Sequence, residues 1–350
     1  MCRGRSLPVP AERNGEITNI GASAYQSVRE RKIMTQNSEL GTRNSANLSV
    51  DLGRGLLLPN PVMTASGTFG YGEEASEYFD ISRLGAVVVK GISEQPRQGN
   101  PPPRLVETPS GILNSIGLQN VGMEAFISEK IPFLRDAGAR VIVNVLGSSV
   151  QEYARVCERF DDVQDVLALE VNISCPNVKE GGVQFGMKEE LASGLIRVLR
   201  DVTGKHLMVK LSPNCGDIAG MARVVEDAGA DSVSLINTIT GMDINVNTRR
   251  PVLGSVVGGL SGPAVRPVAL RMVHEVFRAV TIPVVGMGGI MEGEHALQFI
   301  IAGAAAVQVG TATFVDPTTP VRILRSLVNY LGAEGISARD LTGSIRLPGS

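Results

Sequence analysis

Short apolar runs recur along this chain at Val62–Gly67, Ala86–Lys90, Val141–Gly147, Leu167–Ser174, Leu207–Ser212, Val233–Thr238, Pro283–Gly289 and Ala306–Thr311. Each is rich in Val, Ile, Leu or Ala without clean polar alternation, which is the pattern of strands buried on both faces. Stretches with helical character lie between and after them: Glu73–Phe79, Met123–Ala137, Val150–Phe160, Lys188–Val202, Ile218–Ala228, Ala264–Val280, Glu294–Ala302 and Thr319–Leu331. A strand-then-helix unit repeated around a parallel sheet predicts an α/β fold, the closed (β/α)8 or TIM barrel. Chemistry in that fold sits at the C-terminal ends of the strands. Those ends are where this chain keeps its polar residues.

Two connections, Ser93–Gly122 and Ile239–Pro263, are too long for simple turns, and both leave from strand C-terminal ends. Long loops in compact domains are commonly binding loops or lids, so both are expected on the catalytic face. Residues 1–45 are polar and lack sustained periodicity, which predicts a disordered extension ahead of a catalytic domain spanning 46–350. Near Leu48 the segment LSVDLGRGLLLPN reads as a small hairpin leading into the first strand.

Composition narrows the function classes. A hydrophobic fraction of 43% over 350 residues is ample for one large core. A formal net charge of −2 gives no electrostatic case for a nucleic-acid partner. No apolar run approaches the roughly 18 uncharged residues of a membrane span. Cys2, Cys157, Cys175 and Cys215 show no CxxC or metal-finger spacing, which favours reduced thiols and a cytoplasmic setting. Gly70-Tyr-Gly72-Glu-Glu-Ala75 matches a dinucleotide-binding glycine pattern, but the next strand ends in Lys90 where an acidic ribose ligand is wanted.

Glycine clusters mark one side of the proposed face: Gly258-Gly259-Leu-Ser261-Gly262, Gly286-Met-Gly288-Gly289 and Gly310-Thr311. Loops after the last two barrel strands commonly bind phosphate, because glycines let backbone N–H groups close on an anion. The other strand ends carry Ser66, Lys90, Asn144, Asn172, Lys210, Asn237 and Thr238. A buried lysine needs an anionic partner or a chemical role. Two lysines beside three Asn amides suit a polar ring with carbonyl and amide edges. Asn172-Ile-Ser-Cys175-Pro-Asn177 puts a thiol just past a strand end between two amides, where a nearby ammonium favours thiolate and the sulfur can accept a proton. Cys157, inside a helical pattern, and Cys215 read as structural.

The segments NPVMTASGTFGYGEE, LNSIGLQN, EVNISCPNVKEGG, VKLSPN, INT, GGLSGPAVRP, PVVGMGG and VQVGTA together resemble the dihydroorotate dehydrogenases, FMN-dependent barrel enzymes of pyrimidine synthesis. The resemblance covers about Leu48 to Val315. It implies that Cys175 is the base that takes a ring proton of dihydroorotate while hydride passes to the flavin. It implies substrate contacts from Lys90, Asn114, Ser115, Ile116, Gly117, Leu118, Asn172, Asn237 and Thr238, with Asn177 as a further amide. Ser66, Lys90, Gly91, Asn144, Asn172, Lys210 and Ile236 would surround the isoalloxazine and ribityl of one FMN per chain. Gly262, Gly288, Gly289, Gly310 and Thr311 would hold its phosphate. No metal is implied on this chain.

Membrane-bound relatives use Ser as the base and an apolar N-terminal segment, so that branch is disfavoured. ASGTFGYGEE and NISCPNVKEGG look closest to the two-subunit, NAD-linked branch. That branch implies a partner subunit with FAD and a 2Fe-2S cluster, and a homodimer core within a heterotetramer. A fumarate-reducing homodimeric enzyme and a dihydropyrimidine dehydrogenase-like subunit share much of the pattern. A flavin-binding module without activity would be expected to lose the base or its amide frame.

Overall fold

The structure is a computed structural model that describes residues 47–173 and 185–349. The expected extension 1–45, together with Cys175 and Asn177, lies outside the described residues. Val50–Asp51 (β1) and Leu57–Leu58 (β2) form the small antiparallel hairpin expected ahead of the barrel. The strands that follow are Val62–Thr64 (β3), Val87–Val88 (β4), Leu105–Thr108 (β5), Gly111–Asn114 (β6), Val141–Val145 (β7) and Val166–Asn172 (β8). They continue with His206–Lys210 (β9), Ser232–Leu235 (β10), Ile239–Gly241 (β11), Ile244–Asn245 (β12), Arg250–Pro251 (β13), Gly258–Ser261 (β14), Val284–Met287 (β15) and Ala306–Val309 (β16).

The eight apolar runs supply one parallel sheet in the order β3-β16-β15-β10-β9-β8-β7-β4. A parallel bridge between Met63 and Ala86 joins its two ends, so the sheet closes into a barrel. At this seam Gly85 N donates to Val62 O at 2.8 Å and Thr64 N to Ala86 O at 3.3 Å. Beyond them the Thr64 side chain takes over from the backbone ladder. The five residues of β7 and of β9 are all buried, as are the four of β10, β15 and β16. Burial on both faces explains why these strands lack polar alternation.

Helices cover the outside of the barrel. Helix Val150–Asp161 is capped by Ser149, whose Oγ accepts from Glu152 N, and it buries Tyr153, Val156, Cys157 and Phe160 at helical spacing. Asp217 caps Ile218–Asp227 in the same way, accepting from Gly220 N at 2.8 Å. Three helical stretches differ from expectation. The first is only Glu73–Ser76, entered from Gly72 at φ 88°. Met123–Ala137 breaks into Met123–Ala125, a π-turn at Phe126–Lys130 and Ile131–Asp136; Pro132, at the break, has no N–H for the helical ladder. The stretch from Ala264 begins as a 3-10 turn, Pro263–Val265, before Arg266–Phe277.

The two long connections are more ordered than loops. They pair into a four-stranded antiparallel sheet, β11-β14-β6-β5, in which Ile112, Leu113 and Asn114 face Ser261, Leu260 and Gly259. No helix among the described residues is long and apolar enough to cross a membrane.

Candidate active site

A cavity of about 520 Å3 opens at the C-terminal ends of the barrel strands, within the roughly 300–1,000 Å3 usual for small-molecule sites. Strand ends from around the barrel contribute Ser66, Lys90, Asn144, Asn172, Lys210 and Ile236 to its lining. The second sheet forms a wall through Leu105, Ile112, Asn114 and Gly258 to Ser261. Ser115, Ile116, Gly117 and Leu118 continue that wall, and Gly91, Asn237 and Thr238 complete the polar end. Gly262, Gly288, Gly289, Gly310 and Thr311 line the same cavity. Every site residue expected from the sequence and lying within the described residues therefore faces one space.

The polar end is held by its own bonds. Asn172 carries its amide at the tip of β8, and its backbone carbonyl accepts from the Tyr153 hydroxyl at 2.6 Å. Asn237 Nδ2 points at Asn172 Oδ1 at 3.5 Å, while Asn237 Oδ1 accepts from Thr238 N at 2.8 Å. Asn114 Nδ2 donates to Gly259 O at 3.2 Å, so the amide is anchored across the second sheet. Leu118 sits at φ 60° and Gly117 at φ 76°, a left-handed pair that turns the chain back against Asn100. Ser115 Oγ is buried and has no hydrogen-bond partner among the described residues, an unmet polar group on the cavity wall.

The two lysines differ. Lys210 has an internal counter-ion, with Nζ 3.9 Å from Glu170 Oε2, and it donates to Ser66 Oγ at 3.0 Å. Lys90 has no ion pair among the described residues. Burial, and next the Arg104 guanidinium, hold its pKa below the usual lysine range, with Glu74 pulling the other way. A half-buried ammonium without a carboxylate against it is suited to an anionic ligand.

Sequence reasoning missed Glu170. It is fully buried on β8, where Oε2 accepts from Asn144 Nδ2 at 2.7 Å and Oε1 from Ser234 Oγ at 2.9 Å and Gln308 Nε2 at 2.7 Å. The only signal was a single acidic residue inside an apolar strand run.

At the opposite end the glycine loops approach one another closely. Gly289 has φ 74°, and an added Cβ would meet Arg266 Cβ at 2.7 Å and Gly262 O at 2.8 Å. Thr311 Oγ1 donates to Ser261 Oγ at 2.9 Å, tying the loop after β16 to the end of β14. Loops this tight, closed to any Cβ at Gly262, Gly288 and Gly289, let the backbone approach a ligand closely, which suits a phosphate. Among the described residues no cluster of His, Cys, Asp or Glu could hold a metal ion. Burial pushes the Cys157 thiol up to about 12, and Cys215 is raised for the same reason, consistent with structural roles for both.

Comparison with known proteins bears directly on this site. The sequence profile described as dihydroorotate dehydrogenase matches residues 49–331. The catalytic subunit of dihydroorotate dehydrogenase B (NAD(+)) from Geotalea daltonii is 52% identical over 302 residues, covering 86% of this chain and 99% of that protein. The protein of that name from Geobacter sulfurreducens is 54% identical over 302 residues, with the same two coverages. That from Trichlorobacter lovleyi is 56% identical over 290 residues, 83% of this chain and 95% of the relative. A profile spanning the barrel, and full-length relatives at this identity, establish that the chain belongs to the dihydroorotate dehydrogenase family.

Proposed function

We propose that this chain is the catalytic subunit of an NAD-linked dihydroorotate dehydrogenase, which oxidises dihydroorotate to orotate in de novo pyrimidine (UMP) biosynthesis. One observation carries the reading. The amide-and-lysine end and the glycine end lie in the same cavity, so one space offers contacts for a charged ring and for a phosphate.

FMN fits these residues. Gly262, Gly288, Gly289, Gly310 and Thr311 would hold its phosphate, and Ser66, Lys90, Gly91, Asn144, Asn172, Lys210 and Ile236 its ring and ribityl. When bound, FMN supplies the hydride acceptor. Lys90, Asn114, the Ser115–Leu118 turn, Asn172, Asn177, Asn237 and Thr238 bind orotate and dihydroorotate by their carboxylate and imide edges. Lys90 supplies the positive charge, and the amides supply paired donors and acceptors that fix the ring's orientation. Cys175 takes the ring proton as general base.

Electrons leave through a partner subunit carrying FAD and a 2Fe-2S cluster and reach NAD, with two copies of this chain at the centre of a cytoplasmic heterotetramer. The NAD(+) and "catalytic subunit" in the relatives' names support this, as does the cysteine spacing, which provides no cluster site.

The test is anaerobic mixing of the FMN-loaded protein with dihydroorotate. Bleaching of the flavin is expected, and no bleaching with FMN fully bound overturns the assignment. Co-purification of a subunit that confers NAD reduction supports the NAD-linked branch. Strong fumarate reduction by this chain alone overturns that branch.

A further inference from the structure

We propose that Glu170 is the positioning residue of the flavin-facing side, holding the Asn144 amide and the Lys210 ammonium in the arrangement they present to the cavity. The proposal rests on the FMN reading above.

Glu170 is 0% exposed, and the side chains that reach it come from β7, β9, β10 and β16, which makes it a junction across the inside of the barrel. Its two oxygens divide the work. Oε1 is held from below by Ser234 Oγ and Gln308 Nε2. Oε2 faces the cavity-lining residues, accepting from Asn144 Nδ2 at 2.7 Å with Lys210 Nζ 3.9 Å away.

An ionised carboxylate only accepts hydrogen bonds, so it dictates which way the Asn144 amide turns. The NH2 group must face Glu170. The carbonyl oxygen then faces Gly91, where an added Cβ would sit 2.8 Å from Asn144 Oδ1, and Gly91 lines the cavity. The same charge draws Lys210 Nζ inward, where Ser66 Oγ accepts from it at 3.0 Å. Asn144 and Lys210 are 1% and 4% exposed, so neither can exchange this partner for bulk water. One buried carboxylate thereby sets both the amide orientation and the local charge balance.

The substitution Glu170→Gln keeps the shape and removes both effects. An amide in that place turns a second NH2 group toward Asn144 or toward Ser234 and Gln308, and it leaves Lys210 without its counter-charge. Wild-type and variant holoproteins are compared by flavin midpoint potential, visible spectrum, rate of anaerobic reduction by dihydroorotate, and orotate affinity. The midpoint potential of Glu170→Gln is expected to move positive, because loss of a nearby negative charge favours the electron-rich reduced ring. Its reduction rate is expected to fall by about 10- to 100-fold through misplacement of the ring, with orotate affinity changed by less than about threefold.

A folded, FMN-loaded Glu170→Gln protein with unaltered potential and reduction rate overturns the proposal and leaves the FMN reading standing. A wild-type protein that binds no FMN overturns both. If Glu170→Gln does not fold, Ser234→Ala takes its place, since that hydroxyl meets the site through Glu170. It is expected to slow reduction about three- to tenfold, and an unchanged spectrum and rate in this variant would equally overturn the proposal.

Discussion

Thr64 and Val88 close the barrel through a side chain: Thr64 Oγ1 accepts from Val88 N at 2.9 Å and donates to Val88 O at 3.1 Å. The backbone groups of Val87 and Val89 point the other way, toward Arg140 and Ile142, so Val88 depends on this hydroxyl for both of its bonds. Thr64→Val keeps the shape and strands two buried backbone groups. Each costs about 1–3 kcal/mol when left unmet, so the urea midpoint should fall clearly with an unchanged slope. Thr64→Ser, which retains the hydroxyl, should lose far less. Equal midpoints for wild type and Thr64→Val would show that the seam does not need this bond.

Gly289 tests the proposed phosphate end. At φ 74°, with Arg266 and the Gly262 carbonyl against the missing Cβ, Gly289→Ala must shift one loop away from the other. FMN affinity should drop at least about tenfold, the equivalent of about 1.4 kcal/mol, measured by flavin retained on gel filtration and by fluorescence titration. Gly194 is the control. It is exposed on helix Glu189–Val202 with open space around it, so Gly194→Ala should raise stability by about 0.5–1 kcal/mol and leave FMN binding unchanged.

Lys90 is expected to give the proposed site an alkaline limit. Its ammonium is the form that binds a carboxylate, and burial lowers its pKa from 10.5. Orotate affinity should therefore fall as pH rises through that lowered value, before an ordinary lysine would titrate. Folding stability runs the other way. The native state releases this proton more readily than the unfolded chain, so this group's contribution to stability rises between the lowered pKa and 10.5. Lys90→Met should remove the alkaline step in orotate binding and weaken orotate by about 10- to 100-fold, read by titration of the flavin spectrum.

Cys175→Ala separates chemistry from binding. FMN content and orotate affinity should stay close to wild type, while flavin reduction by dihydroorotate slows by about two to four orders of magnitude. An unaffected stopped-flow rate would remove Cys175 from the mechanism.

The strands were legible because nearly all of their residues are buried, on both faces, which writes an apolar run directly into the chain. Even there the ladder is shorter than the run in places. Ala86–Lys90 yields only Val87–Val88 as strand, partly because Thr64 replaces the backbone partner on one side. The second sheet was not legible. GILN and GGLS carry no alternation to read, and Asn114 finds Gly259 only across 145 intervening positions.

The site divides along the same line. A polar residue at the end of an apolar run is a local signal, and it marked Lys90, Asn144, Asn172, Lys210, Asn237 and the glycine loops. Glu170 gave no such signal, because its meaning lies in partners 26, 64 and 138 positions away. The amino-acid sequence by itself determined the eight strands, the polar strand ends and the family, since burial pattern and motif are properties of neighbouring residues. Only the tertiary structure decided that Thr64 closes the seam, that two loops form one wall, and that a buried carboxylate binds Asn144 and Lys210 together. Those relations exist only once the barrel closes and brings residues far apart in the chain within hydrogen-bond reach.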